Sequence, residues 1–261
     1  MILEVKDLSV SYWGRAKYVN ALKKVNWGIG KSEILGIVGE SGCGKSTLAL
    51  SILNLLPADA KSKGEIIFKG RNIFGANEKE SEILRGSQIG LIFQEPASTF
   101  NPVLSINYQF QEILKSKLNI KSKRERSEII YDSLDKVRVP EAERILKSYP
   151  HQLSGGQLQR VAIAIAIALK PTVLIADEPT SSLDVTIESQ IVHLFKELRG
   201  KLGLTIIFIT HNLDLVKALC DRVVVFYQGE VREVKGKEEL FACPEDSYTK
   251  SLLASFEDLE G

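Results

Sequence analysis

The segment Glu33-Ile-Leu-Gly-Ile-Val-Gly-Glu-Ser-Gly-Cys-Gly-Lys-Ser-Thr-Leu-Ala-Leu-Ser-Ile-Leu-Asn-Leu-Leu56 decides the fold. Its first seven residues read as a short buried strand, the glycine-rich middle as a turn, and Lys45 to Leu56 as a helix stopped by Pro57. Gly39 to Thr47 satisfies G-x-x-x-x-G-K-[ST] in the strand–turn–helix setting that the pattern requires. Gly39, Gly42 and Gly44 let main-chain N–H groups turn inward around phosphate oxygens. A helix starting near Lys45 adds unpaired N–H groups and a positive dipole end. Lys45 supplies a charge for the β- and γ-phosphates, and the Ser46 hydroxyl is placed to ligate Mg²⁺. Ser41, Cys43 and Thr47 complete the expected nucleotide-binding segment.

Outward from this loop, ILEVKDLSVSY at the N-terminus alternates in strand fashion, and Ala21 to Ile29 is a second alternating stretch. Apolar strands are expected at Glu65–Phe68, Ile89–Phe93, Val173–Ala176, Thr205–Ile209 and Arg222–Phe226, with helical patterns between most of the later ones. That alternation indicates a largely parallel α/β sheet. Ser105 to Tyr149 carries Lys, Glu, Leu and Ile at helical spacing and no strand pattern, so it reads as a helical insertion bounded by Pro102 and Pro150. The run VAIAIAIAL (Val161–Leu169) imitates a strand. Its four alanines, the unbroken length from Gly156 to Lys170 and the stop at Pro171 favour a buried helix.

Of 261 residues, 44% are apolar and 26% charged, which excludes collagen-like, disordered and coiled-coil chains. Lys and Arg number 34 against 33 Asp and Glu, a net charge of +1 that provides no global field for nucleic acid or anionic lipid. The one dense basic patch, Lys121, Lys123, Arg124 and Arg126, reads as a solvated helix face beside Glu125 and Glu128. Cys43, Cys220 and Cys243 form neither a zinc motif nor a disulfide framework and suit a reducing cytosol. The N-terminus lacks a signal-peptide pattern, and the longest apolar run falls well short of the about 18 residues that span a bilayer.

A second chemical element is Thr172-Val-Leu-Ile-Ala-Asp-Glu-Pro179, an apolar strand delivering two carboxylates at its C-terminal end. Asp177 fits a metal-organising acid, and Glu178 a base for water. Together with the loop this indicates a P-loop NTPase. A third element, Leu153-Ser-Gly-Gly-Gln-Leu-Gln-Arg160, is by composition another anion-binding helix start. LSGGQ followed by Gln-Arg, upstream of IADEPTSSLD, resembles the signature of the ATP-binding cassette (ABC) ATPases.

The resemblance spans nearly the whole chain, and what it implies follows residue by residue. Gln94 in LIFQEP matches the Q-loop glutamine, Ser181 to Asp184 the D-loop, and His211 in FITHNL the switch histidine. Tyr12 stands where the family stacks an aromatic on adenine, with Trp13 and Tyr18 as alternatives. The implied fold is a P-loop NTPase (RecA-like) α/β core, residues 1–94 and 160–261, with an N-terminal antiparallel β-subdomain. An inserted helical subdomain, 95–159, would carry the signature, all in one domain over 1–261. Implied catalytic residues are Glu178, His211, Lys45 and Gln94, with Ser46, Gln94 and Asp177 on Mg²⁺. Ser154, Gly155, Gly156, Gln157 and Asp184 would close over the ATP of a partner cassette.

FQEPASTFNPVLSI (Phe93–Ile106), SYPHQLSGGQ (Ser148–Gln157), SSLDVT (Ser181–Thr186) and PEDSYTKSLLAS (Pro244–Ser255) are similar to the oligopeptide/dipeptide/nickel branch of ABC importers. LLPADAKSKGEIIFKG and IADEPT lean toward the first of the two ATPase subunits in such systems. QLQR departs from the Met-Arg-Gln-Arg more usual there, and the sequence ends at Gly261 without a cysteine-rich extension, so no iron–sulfur cluster is expected. The resemblance implies a second ATPase subunit, identical or homologous, two transmembrane permease subunits and, indirectly, an extracytoplasmic binding protein. No nucleic acid is expected as a partner. The expected place is the cytoplasmic face of the membrane, peripherally, and the expected cargo di- or oligopeptides. A nickel or oligosaccharide importer, or a catalytically weak subunit in a heterodimer, are the alternatives.

Overall fold

The computed structural model describes residues 1–14 and 17–260, so Gly261, the end of the expected domain, lies outside the described residues. Strands β1 (Leu3–Trp13), β2 (Tyr18–Ile29) and β3 (Ile34–Val38) lead to helix α1 (Lys45–Ile52). Strands β4 (Lys61–Phe68) and β5 (Arg71–Asn72), helix α2 (Glu78–Leu84) and strand β6 (Ile89–Ile92) follow. Next come helices α3 (Pro96–Thr99), α4 (Ile106–Leu118), α5 (Lys123–Lys136) and α6 (Ala142–Lys147), a 3-10 turn at Pro150–Gln152, and α7 (Gly155–Ala168). The chain continues through β7 (Val173–Asp177), α8 (Val185–Leu202), β8 (Thr205–Ile209), α9 (Leu213–Leu219) and β9 (Arg222–Tyr227). It closes with β10 (Glu230–Gly236), α10 (Lys237–Ala242) and α11 (Ser247–Glu260). The fold class is the expected one: α/β, with antiparallel N-terminal strands and a helical stretch free of strands from Pro96 to Gln152.

Two compact units share this chain, residues 1–81 with 205–261, and residues 82–204. In the first, β2-β1-β4-β5 form an antiparallel sheet, and β10-β9-β3-β8 lie side by side with β3 parallel to both β8 and β9. β3 and β8 are buried at every residue. That explains why ILGIV and TIIFI read as continuous apolar runs: parallel strands covered on both faces have no polar side to show. β1 alternates instead, with Leu3, Val5, Leu8 and Val10 inward, and slips register between Val5 and Leu8. Asp7 takes positive φ at this bulge, and Lys24 at the next register shift, between Leu8 and Val10. β9 and β10 are joined by Gln228 and Gly229 at φ 49° and 81°, the two positive values that a tight type I′ hairpin demands.

In the second unit β6 pairs with β7 in parallel, Ile89 opposite Val173. The strand-like run Val161–Leu169 is helical, as its alanines argued, and α7 buries Leu158, Val161, Ile163, Ala164, Ala166 and Ile167. Three readings need correction. The first helix ends at Ile52, not Leu56: Asn54 turns left-handed at φ 55°, and its side-chain amide donates to Ala76 O and Ser81 Oγ. The basic patch is not uniformly solvated. Arg124 pairs with Glu128 on the surface, but Arg126 is buried, donating to Gln111 Oε1 at 2.6 Å and to the carbonyls of Ile120 and Lys121. It pins α5 to α4. Finally, β10 lies beyond the expected strands, alternating behind a Gln-Gly turn.

Candidate functional site

In the first unit, β3 runs into the glycine-rich loop and α1 leaves it. Gly44 caps α1 at φ 114° with no side-chain acceptor, so the helix's first N–H groups point into the loop without a side-chain cap. Lys45 is only 4% exposed. Its Nζ donates to Gly39 O at 2.7 Å and Glu40 O at 2.8 Å, and lies 3.8 Å from Cys43 Sγ. Among the described residues no carboxylate pairs with it. A buried ammonium bonded to neutral groups is an incomplete arrangement, and an anion completes it. Burial pushes the Cys43 thiol up despite the opposing pull of Lys45, so the thiol stays neutral beside this charge. Ser41, Gly42 and Ser46 are exposed in the same loop.

The loop's shape depends on close main-chain contacts. A Cβ on Gly39 would fall 2.2 Å from Phe226 O, and one on Gly44 would fall 2.5 Å from Ala21 O. Gly229 N donates to Cys43 O at 2.9 Å. No sequence signal announces this last contact, because the hairpin turn lies far along the chain from the loop. Gly44→Ala is expected to cost about 1–3 kcal/mol from the left-handed backbone alone. Calorimetry should show Tm falling by about 2–4 °C per kcal/mol in a chain of this size. An unchanged Tm would contradict the contact.

Tyr12 is half-buried on β1, and its hydroxyl lies 3.4 Å from Thr47 Oγ1 of α1. Trp13 is 58% exposed and meets Tyr18 edge-on at 4.9 Å, while Lys61 Nζ sits 3.9 Å over the Tyr18 ring. The three aromatics therefore divide: Tyr12 faces the phosphate-loop helix, and Trp13 and Tyr18 pair with one another. His211 is exposed just beyond β8, between the buried Thr210 and Asn212, which caps α9.

In the second unit, β7 ends at Asp177, which is half-buried. Glu178 follows at φ 45°, a left-handed conformation that a glutamate adopts only under constraint. Gln94, just past β6, donates Nε2–H to Glu178 Oε2 at 3.0 Å. The two sequence-predicted residues are thus brought together, although 84 positions apart. Ser154 caps α7 in a reciprocal box: Gln157 N donates to Ser154 Oγ at 3.3 Å, and Ser154 N to Gln157 Oε1 at 3.1 Å. The Gln157 side-chain oxygen thus caps its own helix, a bond that does not engage the Nε2–H donors. Asp184 caps α8 by accepting from Ile187 N at 3.0 Å. A Cβ on Gly156 would fall 2.8 Å from Ile187 Cγ2, so the two helix starts pack tightly. Ser154, Gly155 and Asp184 are exposed, beside Val185 at 81%.

The family model described as "ABC transporter" matches residues 22–181. The chain is 42% identical over 261 residues to the oligopeptide transport ATP-binding protein of Bacillus subtilis, covering 99% of this chain and 73% of that protein. It is 41% identical over 261 residues to the dipeptide transport ATP-binding protein of the same organism, covering 99% and 78%. Among solved structures, the dimeric ATP-binding cassette MJ0796, in a post-hydrolysis state bound to ADP and Pi, matches with TM-score 0.80 and 30% identity over 90% of this chain and 98% of that one. The CbiO1 protein of Clostridium perfringens, part of the transporter complex CbiONQ, matches with TM-score 0.77 and 33% identity over 93% and 91%.

Proposed function

This chain belongs to the ABC transporter family, and from that premise we propose that it is the ATP-hydrolysing subunit that drives uptake of di- or oligopeptides. The observation that carries the nucleotide reading is the buried Lys45 ammonium, held over the loop by two carbonyls with no acid paired to it among the described residues. The peptide cargo rests on the names of the relatives. Peripheral attachment to two permease subunits at the cytoplasmic face accords with the family. Among the described residues, no helix is long and apolar enough to cross a membrane.

In this reading the amides from Gly39 to Thr47, with Lys45, bind the triphosphate, and Tyr12 is the aromatic beside the base. Ser46, Asp177 and Gln94 are the magnesium residues. Their donors, a hydroxyl, a carboxylate and an amide oxygen, are the hard oxygen ligands that would suit a magnesium ion. An ion held by these residues would supply charge neutralisation to the phosphates. Glu178 takes the proton of the attacking water, His211 orients that water, and Lys45 stabilises charge on the transferring group. Gln94, bonded to Glu178, ties the base to the segment that precedes the helical insertion. Ser154, Gly155, Gly156, Gln157 and Asp184 serve the nucleotide of a second cassette. There the exposed dipole end of α7 is attracted to phosphate charge.

Reconstitution tests this reading. The chain is assembled in proteoliposomes with the subunits that co-purify from its native membrane, and hydrolysis is measured with binding protein loaded in turn with peptide, nickel or oligosaccharide. Peptide-loaded protein is expected to stimulate turnover several-fold. Stimulation by nickel or oligosaccharide alone would move the cargo to another member of the branch.

A further inference from the structure

Tyr227 closes β9 and Tyr248 opens α11, and their rings stack at 4.1 Å between centroids with planes 28° apart. Tyr227 stands between two residues that touch the phosphate loop. On one side is Phe226, whose carbonyl oxygen lies 2.2 Å from where a Cβ on Gly39 would be. On the other is the tight turn, whose Gly229 N–H donates to Cys43 O. The turn is tied in addition to β2, since Lys23 N donates to Gly229 O at 2.8 Å. The Tyr248 hydroxyl is itself buried, and burial first, then the Glu40 carboxylate of the loop, raises its pKa. The phenol is therefore neutral where it meets the loop.

The first turn of α11 is firmly held. Asp246 Oδ1 accepts from Tyr248 N at 2.8 Å and Thr249 N at 3.3 Å. Glu233 of β10, buried at 8% exposure, accepts from Glu245 N at 3.0 Å and Asp246 N at 3.2 Å. Lys235 Nζ lies 3.2 Å from Glu233 and 2.7 Å from Glu245. This network orders the backbone from Glu245 to Thr249, and so presents the Tyr248 ring to Tyr227 from a fixed turn.

We propose that Tyr248 is a positioning residue for the nucleotide: by stacking on Tyr227 it fixes the hairpin turn against which Gly39 and Cys43 rest, and so holds the phosphate loop in its binding shape. This inference rests on the nucleotide reading above. A loop that is already shaped loses less conformational freedom when phosphate arrives, so the stack acts on affinity. It does not touch the groups assigned to water and the reacting phosphate. The effect therefore falls on Kd and KM, and kcat at saturating ATP is preserved.

The test titrates the full-length protein with a fluorescent ATP analogue and measures hydrolysis in the assembled complex. Tyr248→Ala is expected to raise Kd and KM about threefold to tenfold, the worth of an aromatic pair, with kcat within twofold of wild type. Tyr248→Phe keeps the ring and is expected to behave as wild type. Tyr227→Ala should reproduce the loss, and the double variant should add little to it. Should Tyr248→Ala fail to fold, Tyr248→Leu, which keeps apolar bulk without an aromatic face, carries the same expectation. A folded Tyr248→Ala or Tyr248→Leu protein with wild-type affinity would overturn the proposal. A fall in kcat at unchanged KM, or a Tyr248→Phe variant as weak as the alanine one, would overturn it too. Wild-type protein that binds the analogue no better than Lys45→Ala would instead remove the nucleotide reading beneath it.

Discussion

Glu178→Gln should leave ATP binding close to wild type and slow hydrolysis by about 10²–10⁴-fold, the usual worth of a general base. The substitution suits the geometry. Glutamine has the shape of glutamate, and the left-handed backbone at φ 45° accommodates both alike. The Gln94 amide, which donates to the carboxylate at 3.0 Å, can bond equally well to an amide oxygen. Nothing in the packing is disturbed; only the ability to take a proton goes. None of the residues around the triphosphate in the first unit is altered, so affinity should persist. Equilibrium binding and single-turnover hydrolysis on one preparation separate the two effects. Hydrolysis within a few-fold of wild type would take Glu178 out of the base's role, leaving His211 as the next residue to test.

Elements that depend on neighbours in the chain were legible, and those that depend on distant ones were not. ILGIV, TIIFI and the glycine loop were readable because burial on both faces and phosphate-cradling each leave a local pattern. Val161 to Leu169 was readable through its alanines and Pro171. The early stop of α1 has no local mark as strong as Pro57: Asn54 turns the chain and ties it to Ala76 and Ser81, which lie more than 20 residues on. Arg126 looked solvated among its charged neighbours, and only Gln111, on another helix, makes it a buried anchor. The candidate site shows the same division. Its residue types were evident in sequence, and Ser154-Gly-Gly-Gln157 carries a local capping-box pattern, but two features required the fold: the left-handed turn at Glu178 and the hairpin pressed on the phosphate loop. Glutamate carries no left-handed signal as glycine does, and no local pattern links Gly229 to Cys43.

Lys45→Ala carries the other large expected effect, and its direction is opposite to that of Glu178→Gln. Charge-assisted hydrogen bonds are worth about 1.5–3 kcal/mol each, so losing one contact to phosphate should raise the ATP Kd by about 10–100-fold. Losing contacts to both the β- and γ-phosphates should raise it further. The fold should tolerate the change. Alanine is the best helix former for the start of α1, and removing an ammonium that is 4% exposed relieves the cost of burying it. Against this stand the carbonyls of Gly39 and Glu40, which lose their donor. Glu40 lies at the exposed rim, where water can replace it. The melting temperature without nucleotide is therefore expected to stay within a few degrees of wild type, while the stabilisation that Mg·ATP gives the wild-type protein should disappear. Titration calorimetry and thermal melting with and without Mg·ATP check both halves. An unchanged Kd would mean that the buried charge serves the loop's shape alone and that the triphosphate is bound elsewhere. A lost fold without nucleotide would mean that the two carbonyls, not the anion, are what the ammonium is there to satisfy.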